Sequence, residues 1–316
     1  MNTTTNKYTY GPVPSRRLGY SLGIDIIPYK NCSFNCVYCQ LGKTTNITTE
    51  RKEYTPVKDV ISDIKIAAAV DRRVDYFTFS GSGEPTLHAG IKTLIHETKR
   101  LTPVPIAVLT NSSLMNQKSV QTDLLEADLI LPTLCAVTET VFERVNRPHK
   151  DISIRSIIQA LIDFRKSYTG NIWLEIMLVK GINDQKEELE KLRRAADMIE
   201  PDKIHINTVI RPPSERSALP LSIDELERAR SILGDKAEII VDFKKDLAPE
   251  RFTDTQSQVM NTIRRRPVTL KDIESITGLN KHEIIKHIDY LLKNKEIEII
   301  RHDDRDYYKA LSKEVK

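Results

Sequence analysis

Cysteine is scarce in this chain, with four in 316 residues. A disulfide scaffold is excluded, because three of the four thiols crowd into one loop and only Cys135 stands outside it. A second thiolate-bound cluster is excluded on the same ground. There is no apolar run long enough to span a bilayer and no recognisable secretory leader, so the expected compartment is a reducing cytoplasm, with no membrane partner. Charge of one sign is scarce as well. The 48 Lys and Arg against 44 Asp and Glu leave a formal net charge of +4, a mild bias that tolerates an anionic partner without forming a nucleic-acid stripe.

What is present is concentrated. Cys32, Cys36 and Cys39 are spaced C-x3-C-x2-C in Asn31-Cys-Ser-Phe-Asn-Cys-Val-Tyr-Cys-Gln-Leu-Gly42. Three thiolates so close together can hold three irons of a [4Fe-4S] cluster and leave the fourth iron open to a small molecule. Structural zinc usually takes four ligands in paired spacings, and no such Cys or His pair follows.

A chain of this length exceeds the size at which one core stops growing, so a large domain with a small appended one is expected. From Ser21 to Val241 strand-like runs alternate with amphipathic segments, the pattern of a parallel sheet with helical crossovers. Strands are expected at 21–27, 75–80, 106–110, 128–132, 172–179 and 204–210, and helices at 57–70, 90–101, 117–126, 153–167, 184–200 and 223–233. Ligand-binding residues of such folds gather just past the carboxyl ends of the strands. At those places stand the cysteine loop, Ser80-Gly-Ser-Gly-Glu-Pro-Thr86 and Leu109-Thr-Asn-Ser-Ser113.

The three cysteines, Tyr38 before the last of them, Gly81-Ser-Gly-Glu-Pro85 and Thr110-Asn111-Ser112 resemble the radical S-adenosylmethionine (SAM) superfamily over about three quarters of the chain. The resemblance implies an α/β fold with a partial (β/α)6 barrel over residues 1–245, a [4Fe-4S] cluster on Cys32, Cys36 and Cys39, and SAM chelated at the open iron. It also implies a reductant such as flavodoxin or ferredoxin, and a 5'-deoxyadenosyl radical that takes hydrogen from a substrate. Under it, Glu84 meets the methionine ammonium beside Gly81 and Gly83, and Tyr38 lies toward the adenine. Asn111 and Ser112 reach the sugar or carboxylate, Glu175 the ribose, and Ile206 with Asn207 the adenine. Plainer roles stand beside these: a solvated carboxylate for Glu84, ordinary packing for Tyr38, a turn at 111–112 and a surface-facing strand position for Glu175.

Arg16 and Arg17 before the first strand, Arg147 with His149 after the fourth, and Arg211 in Arg211-Pro-Pro213 are candidates for an anionic substrate or the SAM carboxylate, against a reading as solvated loop residues. His205 reads as a core residue. Cys135, in Leu131-Pro-Thr-Leu-Cys-Ala136, reads either as an inert buried thiol or as a hydrogen-atom donor or acceptor near the substrate. Gly11-Pro-Val-Pro-Ser-Arg-Arg-Leu-Gly19, Cys39-Gln-Leu-Gly42 and Asn146-Arg-Pro-His149 look like a branch grouped with the wyosine-base synthases of tRNA. Those synthases carry additional N-terminal cysteines that this chain lacks.

From about Arg251 the pattern changes. Helices are expected from Phe252 to Arg266, from Leu270 to Thr277 and from an Asn280 cap to Asn294, followed by strands from Glu296 to Ile300 and from Tyr307 to Ala310. That order is a winged helix-turn-helix over 251–316. Its 14 Lys and Arg against 11 Asp and Glu give +3, and Glu283 and Asp289 fall on the would-be recognition helix, so it is weak as a DNA reader. It is expected to dock an RNA, peptide or protein substrate, a redox partner or another subunit. The enzyme reading has one rival from a different class, a SAM- or redox-sensing iron-sulfur regulator that binds nucleic acid through this tail. Production of 5'-deoxyadenosine separates the two.

Overall fold

The structure, a computed structural model, describes residues 7–240, 259–260, 263–279 and 281–311. An N-terminal strand, β1 (Thr9–Ser15), runs antiparallel to β2 (Gly19–Ile24). Two short strands flank the cysteine loop, β3 (Asn31–Cys32) and β4 (Asn46–Ile47). Then β5 (Tyr76–Phe79), β6 (Ile106–Thr110), β7 (Leu129–Pro132), β8 (Asn171–Leu178), β9 (Lys203–Thr208) and β10 (Ala237–Ile239) add to β2 in chain order, each parallel to the one before. Between them lie α1 (Val57–Ala68), α2 (Ile91–Leu101), α3 (Lys118–Leu124), the pair α4 (Glu139–Asn146) and α5 (Ile154–Ser167), α6 (Lys186–Ile199) and α7 (Ile223–Leu233). Because strand order follows chain order without reversal, every crossover winds the same way. The sheet of eight curls toward a barrel but keeps two edges, β1 and β10.

Strand alternation separates two cores. Leu22, Phe79, Val108, Ile130, Leu174 and Ile206 pack beneath the helices, whereas Leu18, Ala107, Leu129 and Leu131, with Leu109 and Trp173, fill the opposite, inner face. Along that inner register Trp173 gives way to Glu175 on β8, beside His205 and Asn207 on β9, so polar groups gather toward the carboxyl ends.

The six expected strand-helix units are all present, together with β1, β3, β4, α4 and β10, which were not expected. β1 carries Pro12 and Pro14, residues that argue against a strand but are tolerated on an edge. α4 occupies a stretch for which no element was expected, and β10 extends the sheet after α7. β2 ends at Ile24 rather than at residue 27; beyond it the Asp25 amide still donates to the Tyr8 carbonyl (2.8 Å), while its side chain accepts from the Ser82 amide (3.0 Å) and hydroxyl (2.6 Å).

The tail has its own small core around Ile263, Val268, Ile273, Ile284 and Ile288. α8 (Leu270–Thr277) begins at a reciprocal cap between Thr269 and Asp272 and stops at Gly278, whose φ of 66° is left-handed. α9 (Lys281–Lys293) follows, then the antiparallel pair β11 (Ile297–His302) and β12 (Arg305–Ala310). Asp303 and Asp304 join the pair with φ of 51° and 56°, as a tight two-residue hairpin turn requires. The expected Asn280 cap and most of the helix expected over 252–266 lie outside the described residues. The tail meets the sheet through Arg265, whose Nε lies 3.1 Å from Asp25 and whose guanidinium stacks 4.4 Å over the Tyr10 ring, and through the Tyr307 hydroxyl, which donates to the Ile210 carbonyl at 2.8 Å.

Candidate functional site

The cysteine loop leaves β2 through Ile26 and Ile27 and is pinned on several sides. Lys30 donates its amide to the Ser82 carbonyl (2.8 Å), Asn35 to the Asn146 carbonyl (3.0 Å) and Val37 to the Val145 carbonyl (3.0 Å), while the Ser214 hydroxyl donates to the Cys36 carbonyl (2.8 Å). Phe34 and Val37 anchor it by burial, with Phe34 edge-on to Phe142 at 5.4 Å. Apolar anchors between the cysteines turn Cys32, Cys36 and Cys39 to partly exposed positions, all three unoxidised.

Each of the three sulfurs receives one side-chain N–H. The Asn111 amide donates to Cys32 at 3.4 Å, the Asn146 amide to Cys36 at 3.4 Å and the Lys30 ammonium to Cys39 at 3.2 Å. Burial pushes the Cys32 and Cys36 thiols up to about 12, against the Asn146 hydrogen bond in the case of Cys36. A metal must therefore displace the proton to obtain those thiolates. Among the described residues no three His, Cys, Asp or Glu side chains are grouped around a single ion. Three thiols on one loop, each met by its own N–H donor, are a donor set that fits separate irons of a cluster.

Beside the loop, Glu84 is 2% exposed. One oxygen accepts from the Thr86 amide (3.1 Å), the Thr86 hydroxyl (2.6 Å) and the Thr110 hydroxyl (2.7 Å), and the other accepts only the Asn111 amide (2.7 Å). Burial raises this carboxyl above its ordinary value while the Asn111, Thr86 and Thr110 bonds oppose it. Glu84 is thus a buried, oriented carboxylate and not a solvated loop residue. Gly81 and Gly83 are glycines for packing: a Cβ would overlap the Asp25 carboxylate at Gly81 and the Asn31 carbonyl at Gly83.

Tyr38 shares a 3.3 Å hydrogen bond with the Cys135 sulfur and accepts from Asn146 at 3.2 Å. Cys135 itself is 3% exposed within the helix-side core, and burial pushes its thiol up to about 11. It is a buried thiol tied to Tyr38. Ser112, left-handed at φ 68° and fully buried, donates to the Thr133 carbonyl (3.1 Å), and the Asn111 side chain is engaged by Cys32, Ser33 (2.9 Å) and the Ser113 amide (3.0 Å).

On the inner face Glu175 is not surface-facing. It pairs with Arg17 at 2.7 Å and accepts from Asn207 at 3.2 Å, while Arg16 donates to Asn207 (3.1 Å) and to the Ile240 carbonyl (2.7 Å). Burial works to raise the Glu175 carboxyl, but Arg17, Asn207 and Arg16 together carry it below its ordinary value; burial also lowers Arg16 to about 9, helped by Arg211 and Arg17. The Ile206 side chain points instead into the helix-side core, which leaves only its backbone for a ligand. Arg147 pairs with Glu215 at 2.7 Å, and the His149 amide donates to the Ser33 carbonyl at 2.8 Å, so Asn146-Arg-Pro-His149 buttresses the cysteine loop. Arg211 faces Asp272 of the tail at 3.8 Å, with its Nε buried and unpartnered. A cleft of about 580 Å³ opens beside the loop between Asn35, Glu143, Arg147 and His149, but none of the three cysteines lines it.

Sequence reasoning missed Lys30 as a sulfur donor, Asn146 as another, and Asp25 as the organiser of the Ser82 turn. A buried lysine two residues before the first thiol was the one readable signal.

The model of the family described as Radical SAM superfamily matches residues 26–194. UPF0026 protein MJ1312 of Methanocaldococcus jannaschii is 39% identical over 228 residues, covering 72% of this chain and 71% of that protein. The GTPase Obg of Brachyspira hyodysenteriae is 39% identical over 267 residues, which span 84% of this chain but only 39% of that protein. This chain has no G-x-x-x-x-G-K-[ST] phosphate loop. Among solved structures, TYW1 with a lysine-pyruvate adduct bound superposes with a TM-score of 0.51 at 16% identity, over 74% of this chain and 77% of that one, a likeness of fold. No helix among the described residues is long and apolar enough to cross a membrane. The chain belongs to the radical SAM superfamily, whose enzymes use a [4Fe-4S] cluster and S-adenosyl-L-methionine.

Proposed function

We propose that Cys32, Cys36 and Cys39 hold the [4Fe-4S] cluster and that the protein cleaves SAM reductively to abstract hydrogen from a substrate. The observation that carries this is the trio of thiols on one loop, each met by one N–H, with the oriented Glu84 carboxylate tied to the same Asn111. When bound, the cluster supplies an electron, delivered by a flavodoxin or ferredoxin, that splits the sulfonium into methionine and a 5'-deoxyadenosyl radical. The chain's own part is binding and orientation. Glu84 presents the less occupied of its oxygens to the methionine ammonium, since that one accepts a single bond. Arg17, Glu175 and Asn207 offer a polar wall on the inner face for the ribose and adenine, and Arg16 stands behind it.

The chain divides into a radical SAM core over 1–245 and a winged helix-turn-helix over 251–316, a reading supported by the tail's separate apolar core. α9 keeps Ile285 and Tyr290 exposed beside mixed charges, which suits a macromolecular substrate better than a bare DNA groove.

The test is anaerobic reconstitution with iron and sulfide, then chromatography for 5'-deoxyadenosine after adding SAM and dithionite, with RNA and peptide pools screened for acceleration. Product from the native chain and none from a Cys32→Ala, Cys36→Ala, Cys39→Ala triple variant is expected. Equal product from both would sink the assignment.

A further inference from the structure

We infer that Lys30, assisted by Asn111 and Asn146, sets the reduction potential of the cluster by donating one N–H to each thiolate, an inference that rests on Cys32, Cys36 and Cys39 being its ligands. Lys30 is 3% exposed, and its ammonium is aimed at Cys39 at 3.2 Å. Among the described residues no carboxylate lies within 4.0 Å of it. Burying a lone cation is costly unless an anion answers it, and the anion on offer is a metal-bound thiolate.

The backbone is arranged to hold that side chain inward. Lys30 takes a left-handed φ of 59°, unusual for a residue with a Cβ. Both of its peptide groups are used: the amide donates to Ser82, and the carbonyl accepts from the Asn46 amide at 3.2 Å and the Thr45 hydroxyl at 3.4 Å. The two asparagines are held to different degrees, since the Asn146 Oδ1 is buried without a hydrogen-bond partner among the described residues. Asn111 is fixed by Glu84, Ser33 and Ser113, and Asn146 by its second contact to Tyr38. Donors locked before the ligand arrives do not have to reorganise when the charge on it changes.

Reduction makes the cluster more negative by one electron. N–H groups and a cation at the sulfurs favour the more negative state and so raise the potential, and hydrogen bonding to sulfur is one of the levers by which proteins tune such clusters. Lys30 carries a full charge and so contributes most, and the two amides contribute less.

The experiment is a potentiometric titration of the anaerobically reconstituted full chain, followed by the paramagnetic signal of the reduced cluster, for the native protein and for Lys30→Met, Lys30→Arg, Asn111→Leu and Asn146→Leu. Lys30→Met is expected to lower the reduced-to-oxidised ratio at a fixed ambient potential by about tenfold, a 59 mV shift for a one-electron couple. Lys30→Arg should restore the native midpoint, and each asparagine variant should shift the same way by less. Native midpoints in Lys30→Met and in both asparagine variants, at matched iron and sulfide content, would overturn the inference. If Lys30→Met fails to retain a cluster, an unshifted midpoint in the two asparagine variants overturns it instead. A Cys32→Ala, Cys36→Ala, Cys39→Ala chain that still binds iron and sulfide would overturn the ligand assignment itself, a result distinct from an unshifted midpoint.

Discussion

At Gly83 the chain runs so close to the cysteine loop that a methyl group has nowhere to go, because the Asn31 carbonyl and the Ile27 side chain already occupy the space. Gly83→Ala should therefore displace Asn31 and misalign Cys32 beside it, lowering both thermal stability and iron content after reconstitution. Native iron binding in that variant would contradict the packing described. His205 offers a second residue-scale test. Burial and the nearby Arg17 lower it to about 4, and its Nδ1 is buried without a partner. Below the ordinary histidine range the unfolded chain takes up a proton that the folded one refuses, so stability falls as pH drops through that window. From near pH 6.5 to near pH 5 the loss is about 2 kcal/mol. Glu175 adds to it only at lower pH, since its stabilisation is lost as pH falls through its depressed value. Urea unfolding of His205→Gln across this window should give a flatter pH dependence than the native chain; an unchanged slope would assign the effect elsewhere.

The turn between β1 and β2 reaches across the open side of the sheet and fastens by Arg16 to Asn207 on β9 and to the Ile240 carbonyl just past β10. Arg16→Ala removes two charge-assisted bonds and leaves both acceptors partly buried, so a loss of about 2–4 kcal/mol in chemical denaturation is expected. This element was hidden in the sequence. No strand was expected at Gly11, Pro12 and Pro14, and only its place at the edge lets the strand form. The parallel strands were legible because each is a short apolar run followed by a helical period. The cysteines were legible because spacing alone marks ligands. Asn111 and Asn146 were not legible as sulfur donors, since two distant segments bring them to the cysteine loop and no local pattern encodes their meeting. Cys135 could be weighed only as buried or reactive, and its bond to Tyr38, 97 residues away, had no local signal.

At the scale of the whole molecule the tail is tied to the loops that carry the cysteines and Glu84. Arg265 meets Asp25, with both side chains about nine-tenths buried, and Asp25 in turn holds the Ser82 turn. Arg265→Ala would leave a buried carboxylate whose remaining hydrogen-bond partner among the described residues is Ser82, and a loss of about 3 kcal/mol or more is expected, read as a lower melting temperature. An unchanged melting temperature would mean that the tail rests on the core without gripping it. The Arg16 fastening also bears on how the protein is made. Its two ends lie 224 residues apart, and at about 5–20 residues per second a ribosome needs roughly 10–45 s to supply the second after the first. The last fastening of the barrel's open side therefore waits until nearly the whole sheet has been synthesised.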